Sequence, residues 1–76
     1  MANGYSIATV EAIRRANPKL LGVQLALICV ERGIPVGDVA KYIGVSRVTV
    51  YQWFKGETFV SGRYADEIQT LIDRLK

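Results

Sequence analysis

The chain has 76 residues, including seven Gly and two Pro, which is the length of one small domain. Half of the residues are hydrophobic and 22% are charged, a balance typical of a folded chain rather than a disordered one. With a single Cys (Cys29) and no His, the sequence lacks an internal disulfide, the usual metal-ligand clusters and the Ser/His and Cys/His catalytic pairs. We therefore expect no enzyme, no metal, no cofactor and no small-molecule substrate, and the whole chain, 1–76, reads as one domain.

The longest apolar stretch, 20–30, is interrupted by Gly22 and Gln24 and is far shorter than the ~20 residues that span a bilayer. Residues 1–5 lack the basic-then-apolar order of a secretory signal. We therefore expect a cytoplasmic protein with no membrane segment. Ten Lys and Arg against seven Asp and Glu give a net charge of +3, which suits an anionic partner but is also common in proteins that have none.

The first predicted helix runs from Ile7 to about Ala16. Ser6 precedes it as an N-cap, and the side expected to be buried carries three apolar residues spaced three apart: Ile7, Val10 and Ile13. The segment 6–10 is also compatible with a strand.

A second helix is predicted to begin at Asn17-Pro18, because Asn is a good N-cap and Pro is tolerated at the first helical position. Its residues are apolar nearly all round, which indicates a central buried helix. Gly33 is expected to end it in the left-handed conformation.

Two short helices follow, separated by a Gly-containing turn at Gly44. The first buries a stripe with helical spacing, and the second begins after Ser46 and buries Val50 and Trp53. The stripe consists of Val36, Val39, Ala40 and Ile43.

The loop 58–62 is predicted to place Phe59 as a plug in the core, and a final helix follows it. The stripe of this helix consists of Tyr64, Ala65, Ile68, Leu71, Ile72 and Leu75. The sequence thus predicts an all-α fold of five short helices without a sheet.

The segment 36–56 resembles the helix-turn-helix of the Cro and repressor family of phage and bacterial DNA-binding proteins. The matching residues are Ala40 at the helix crossing, Gly44 and Val45 in the turn, and Val50 and Trp53 in the second helix. A near-perpendicular crossing needs a small residue at the contact and a backbone that turns sharply. The resemblance extends over 17–75 and implies a λ-repressor-like fold.

The sequence departs from the family pattern at the first motif helix. Ile34-Pro35 replaces the usual Ser or Thr cap, and Val36 stands where relatives often carry a Gln that contacts the DNA backbone. Gly37 weakens this short helix by up to about 1 kcal/mol relative to Ala.

The second motif helix, about 46–55, is expected to lie in the major groove. A rotation of about 100° per residue predicts an exposed strip that consists of Arg47, Val48, Tyr51, Gln52 and Lys55. The resemblance implies that Arg47, Val48 and Gln52 within this strip read base edges. The candidates for contacts with the DNA backbone are Ser46, Thr49, Tyr51, Lys55 and Arg63. The alternatives are that Arg47 and Lys55 are ordinary solvated charges and that Tyr51 is a half-buried aromatic.

These features predict a sequence-specific transcriptional regulator, a Cro-like repressor or activator, that binds double-stranded operator DNA as a homodimer. The dimer contacts are expected from the first helix or the last. The alternative is a helix-turn-helix-shaped module, inhibitor or antitoxin-like, that binds a host or partner protein. It is favoured by the modest charge and by an exposed position for Val36 and Val48.

Overall fold

The computed structural model describes residues 5–76 as five α-helices joined by short turns. Their bounds are α1 Ile7–Arg15, α2 Leu21–Arg32, α3 Val36–Ile43, α4 Arg47–Phe54 and α5 Gly62–Leu75. Residues 5–76 contain no strand, and the prediction of an all-α fold with five helices is confirmed. Most of the segment in which we found no secretory signal, residues 1–4, lies outside the described residues. Every helix in 5–76 is too short or too polar to cross a membrane.

Helix α1 begins as predicted, with the Ser6 hydroxyl oxygen accepting a hydrogen bond from the Thr9 backbone N–H at 3.1 Å. The predicted burial of Ile7 is wrong, because its side chain is 79% exposed. The helix packs on α2 through the buried Ile13. Ile7 lies about 120° around the helix from Ile13, since each residue rotates by about 100°, and one contact face does not cover both.

Helix α2 begins at Leu21, three residues later than predicted for Pro18. The Asn17 side-chain oxygen accepts from the Lys19 N–H at 2.9 Å, and the Asn17 carbonyl accepts from the Leu20 N–H at 3.1 Å. Asn17 therefore caps a separate turn, a role that its side chain fills as readily as a helix cap. Gly33 ends α2 with φ 73°, as predicted.

The core lies around α2, which contacts α1, α4 and α5. Leu25 and Cys29 of α2 are fully buried with Phe54, Ile68 and Ile72 of the other helices. Burial raises the pKa of the Cys29 thiol to about 12, so that this thiol stays neutral and acts as a small core hydrophobe. Leu27, however, is partly exposed, and α2 is not buried all round.

Helix α3 buries the predicted stripe of Val36, Val39, Ala40 and Ile43. The expectation that Val36 supplies an exposed apolar surface is therefore wrong, because Val36 is 5% exposed and lies on the same side as Val39 and Ala40. The predicted plug Phe59 is also wrong, since its side chain is 78% exposed.

The residues before α1 make a contact that the sequence did not predict. The Tyr5 hydroxyl donates a hydrogen bond to the Ile34 carbonyl at 2.7 Å, and the Tyr5 ring is buried. Burial raises the pKa of this hydroxyl above its usual range, so that it remains a donor. The contact ties the start of α1 to the turn between α2 and α3.

Candidate nucleic-acid interface

The turn between α3 and α4 consists of Gly44, Val45 and Ser46. Gly44 has φ 89°, a left-handed conformation that favours glycine. Its N–H and the N–H of Val45 both donate to the Ala40 carbonyl, at 2.8 and 3.0 Å. These bonds end α3 and start α4 in a new direction, with the small Ala40 buried beside the turn.

Ser46 and Thr49 form the amino-terminal cap of α4. The Ser46 hydroxyl oxygen accepts from the Thr49 backbone N–H at 3.2 Å, and the two hydroxyl oxygens lie 3.1 Å apart. Both residues, which were predicted to contact the DNA backbone, therefore cap the helix in the protein without DNA. Ser46 is exposed and Thr49 is half-buried.

Helix α4 has a clear division between a buried and an open side. Val50, Trp53 and Phe54 are buried, whereas Val48 is 65% exposed and Gln52 is half-buried. The structure thus brings together the predicted strip along α4, which consists of Arg47, Val48, Tyr51, Gln52 and Lys55. We call this set the α4 strip.

Tyr51 and Lys55 form one contact within the α4 strip. The Lys55 Nζ lies 5.7 Å from the centroid of the Tyr51 ring, one helical turn away, and both side chains are half-buried. The half-buried position of Tyr51 agrees with the alternative considered from the sequence. A half-buried Tyr whose ring supports a Lys can still present its hydroxyl at the surface.

Arg47 is exposed, but its guanidinium lies against Gly37 in the first turn of α3. It lines a cleft of about 300 Å³ between α3 and α4. The other residues of this cleft are Pro35, Val36, Gly37, Asp38, Lys41 and Tyr51. Sequence reasoning did not assign Lys41 or Gly37 to the interface, although their spacing of four residues places them on one face of α3.

Arg63 is not part of the α4 strip, because it lies on α5. Its guanidinium carbon is 5.5 Å from the centroid of the Tyr64 ring, and that ring lies 5.6 Å from the ring of Trp53. Arg63 thus lies beside a pair of aromatic rings that joins α5 to α4, and its predicted contact with the DNA backbone remains a prediction.

Residues 19–58, just over half of the chain, match a homeodomain-like domain of the helix-turn-helix class. The match includes all of α2, α3 and α4. The chain therefore belongs to the homeodomain-like family. The narrower Cro and repressor type stays a prediction.

A 38-residue stretch is 45% identical to proteins of Saccharolobus islandicus strains L.S.2.15 and M.16.4 and of Saccharolobus solfataricus strain P2. Their names assign them provisionally as HTH-type transcriptional regulatory proteins. The stretch covers 50% of this chain and 12% of each relative, so that the chain is similar to a small part of these proteins. No solved structure matches the chain.

Proposed function

We propose that the chain binds double-stranded DNA sequence-specifically, with α4 in the major groove, and regulates transcription as Cro-like proteins do. The observation that carries the proposal is the open side of α4, where Arg47 and Val48 are exposed and the rest of the α4 strip is half-buried. This helix is the second helix of a helix-turn-helix in a member of the homeodomain-like family. In helix-turn-helix proteins the second helix reads base edges and the first crosses the DNA backbone. The provisional names of the relatives agree with this proposal.

Within the α4 strip, Val48 and Gln52 have the chemistry to read bases. Val48 is 65% exposed, and an exposed aliphatic side chain on such a helix can pack on a thymine methyl. Gln52 can pair with the N6 and N7 edge of adenine, and Arg47 with guanine if it reaches a base. Lys55 and Tyr51 flank these residues and suit contacts with phosphate, together with Ser46, Thr49 and Arg63.

Gln52→Ala is expected to reduce affinity for the preferred duplex by about 1–3 kcal/mol and affinity for a scrambled duplex by less, because the lost hydrogen bonds distinguish bases. Fluorescence anisotropy with both duplexes measures the two losses. Gln69→Ala is the matched control, because Gln69 is exposed on α5 and hydrogen-bonds to Asp73 at 3.1 Å. Equal losses on both duplexes for Gln52→Ala would contradict base reading by this residue.

The alternative of a protein-interaction module has less support in the structure than in the sequence. It was favoured by the modest net charge of +3, which is unchanged, and by two apolar residues expected on the exposed side, of which Val36 is buried in α3. Val48 alone remains, and an exposed Val at this position serves a DNA-reading helix equally well.

We further propose a homodimer that joins two copies through the face shared by α1 and α2. A cleft of about 450 Å³ on this face is lined by Val10, Ile13, Leu27 and Val30, with Arg14 and Glu31 among its charged lining residues. Ile7 lies within about 60° of Val10 around α1, which extends the apolar surface. In a two-fold pair the same patch meets itself, and this patch combines its apolar residues with one basic and one acidic side chain, Arg14 and Glu31.

Ile7→Asp is expected to shift the dimer toward monomer, because it places a carboxylate in the apolar contact. Sedimentation equilibrium over a concentration series measures the shift. Ala8→Asp adds the same charge to an exposed position on the other side of α1 and should leave the dimer intact. A wild-type protein that is monomeric throughout the series would contradict the dimer, and an unchanged Ile7→Asp dimer would exclude this face.

A further inference from the structure

Gly37 stands in the first turn of α3, where the backbone does not require glycine. The described glycines with positive φ are Gly33, Gly44 and Gly56, and Gly37 is not among them. Gly is among the least favourable residues for a helix, because the unfolded chain has more conformations to lose. Another property of the position therefore accounts for Gly37.

That property is space for Arg47. A Cβ atom at position 37 would lie 3.1 Å from both Nε and Nη2 of Arg47 and 3.4 Å from its Cζ. The nearest part of Arg47 is thus its guanidinium, the charged end of the side chain. The Cβ of any residue other than Gly would therefore shift the charged group itself, by a few tenths of an ångström, rather than the aliphatic stem.

The position of Arg47 on α4 points to the same conclusion. With about 100° per residue, Arg47 lies about 100° from Val48 and about 140° from Gln52, but only about 20° from Phe54. Phe54 is fully buried. Arg47 therefore leaves α4 on the flank that faces α3 and not from the centre of the exposed side.

The cleft on this flank is cationic on balance. Arg47 and Lys41 line it together with a single carboxylate, that of Asp38, and the phenol of Tyr51. The flank adjoins α3, the first helix of the motif, and in helix-turn-helix complexes that helix crosses the DNA backbone. Cations at this place meet phosphates rather than base edges.

We propose that Arg47 contacts a DNA phosphate from the flank of α4, and that Gly37 is the positioning residue that leaves room for it there. Sequence reading then falls to Val48 and Gln52. The proposal rests on the proposed DNA binding and changes the role of Arg47 from the base reading expected from the sequence. It also explains the unfavourable glycine in α3.

The test compares Arg47→Ala, Gly37→Gln and the double variant with the wild type, on the preferred and the scrambled duplex at two salt concentrations. Arg47→Ala should lower the affinity for both duplexes by the same factor, roughly tenfold. It should also reduce the slope of log affinity against log salt concentration by about 0.9. Gly37→Gln does not change the net charge, but it displaces the guanidinium of Arg47. It should therefore also lower the affinity for both duplexes. The double variant should bind both duplexes as tightly as Arg47→Ala does, because the two changes remove the same contact.

Gly62→Gln is the matched control, since Gly62 also lies in the first turn of a helix and a Cβ there meets nothing within 4 Å. It should bind both duplexes as the wild type does. The melting temperatures of Gly37→Gln and Gly62→Gln should equal or exceed that of the wild type, because Gln is a better helix former than Gly.

Three results would overturn the proposal. A loss confined to the preferred duplex in Arg47→Ala would make Arg47 a base reader, and wild-type binding by a well-folded Gly37→Gln would remove the positioning role. Both of these leave the proposed function standing. A wild-type protein that binds no duplex would overturn the proposed function and this inference together.

Discussion

Trp53→Ala is expected to unfold much of the population at physiological temperature. Trp53 is 4% exposed on the buried side of α4, and its ring lies 5.6 Å from that of Tyr64 on α5. Truncating a large core aromatic costs about 3–5 kcal/mol, whereas a small domain has a total stability of about 5–15 kcal/mol. Chemical denaturation followed by circular dichroism measures the loss.

The matched control for this variant is Phe59→Ala. Phe59 is an aromatic residue in the same half of the chain, but its side chain lies at the surface. Its truncation should change the free energy of unfolding by less than about 0.5 kcal/mol. If Trp53→Ala had the same stability as the wild type, Trp53 would not contribute to the core beneath α4. The assignment of the α4 strip to the open side would then be wrong.

Gly22→Ala is expected to lower the free energy of unfolding by about 2 kcal/mol or more, although Ala favours a helix more than Gly does. A Cβ at Gly22 would lie 2.6 Å from the Trp53 carbonyl oxygen and 2.8 Å from the Trp53 Cβ. These atoms belong to the backbone of α4 or are fixed to it, so that α2 and α4 would have to separate. Urea denaturation measures the change.

Gly62→Ala provides the opposite expectation for the same substitution. A Cβ at Gly62 meets nothing within 4 Å, and this variant should be as stable as the wild type or more stable by up to about 1 kcal/mol. A Gly22→Ala protein that gained stability like Gly62→Ala would contradict the close approach of α2 and α4.

Periodicity and capping were sufficient to predict most of the fold. The turn at Gly44 and the Ser46 cap are local features, because neighbouring residues alone determine them. Ile7 and Phe59 failed as core predictions, since an apolar side chain does not reveal whether another element lies over it. Asn17 failed for another local reason, because the same side chain caps turns as well as helices.

The candidate site likewise has one part that was predictable from the sequence and one part that was not. The open side of α4 follows from about 100° per residue, and the strip with Val48 and Gln52 was predictable from the sequence. The contact of Arg47 with Gly37 was not, because it joins two helices across a turn and depends on their crossing. The available signal was a glycine without a turn to explain it, in the first turn of α3.

Enrichment of random double-stranded DNA on the purified protein tests the proposed function most directly. We predict that one consensus sequence is enriched, that it binds at least about 10³-fold more tightly than a scrambled duplex, and that its affinity falls steeply with salt as counterions are released. Failure to enrich any sequence, together with binding that does not depend on salt, would contradict DNA recognition by α4.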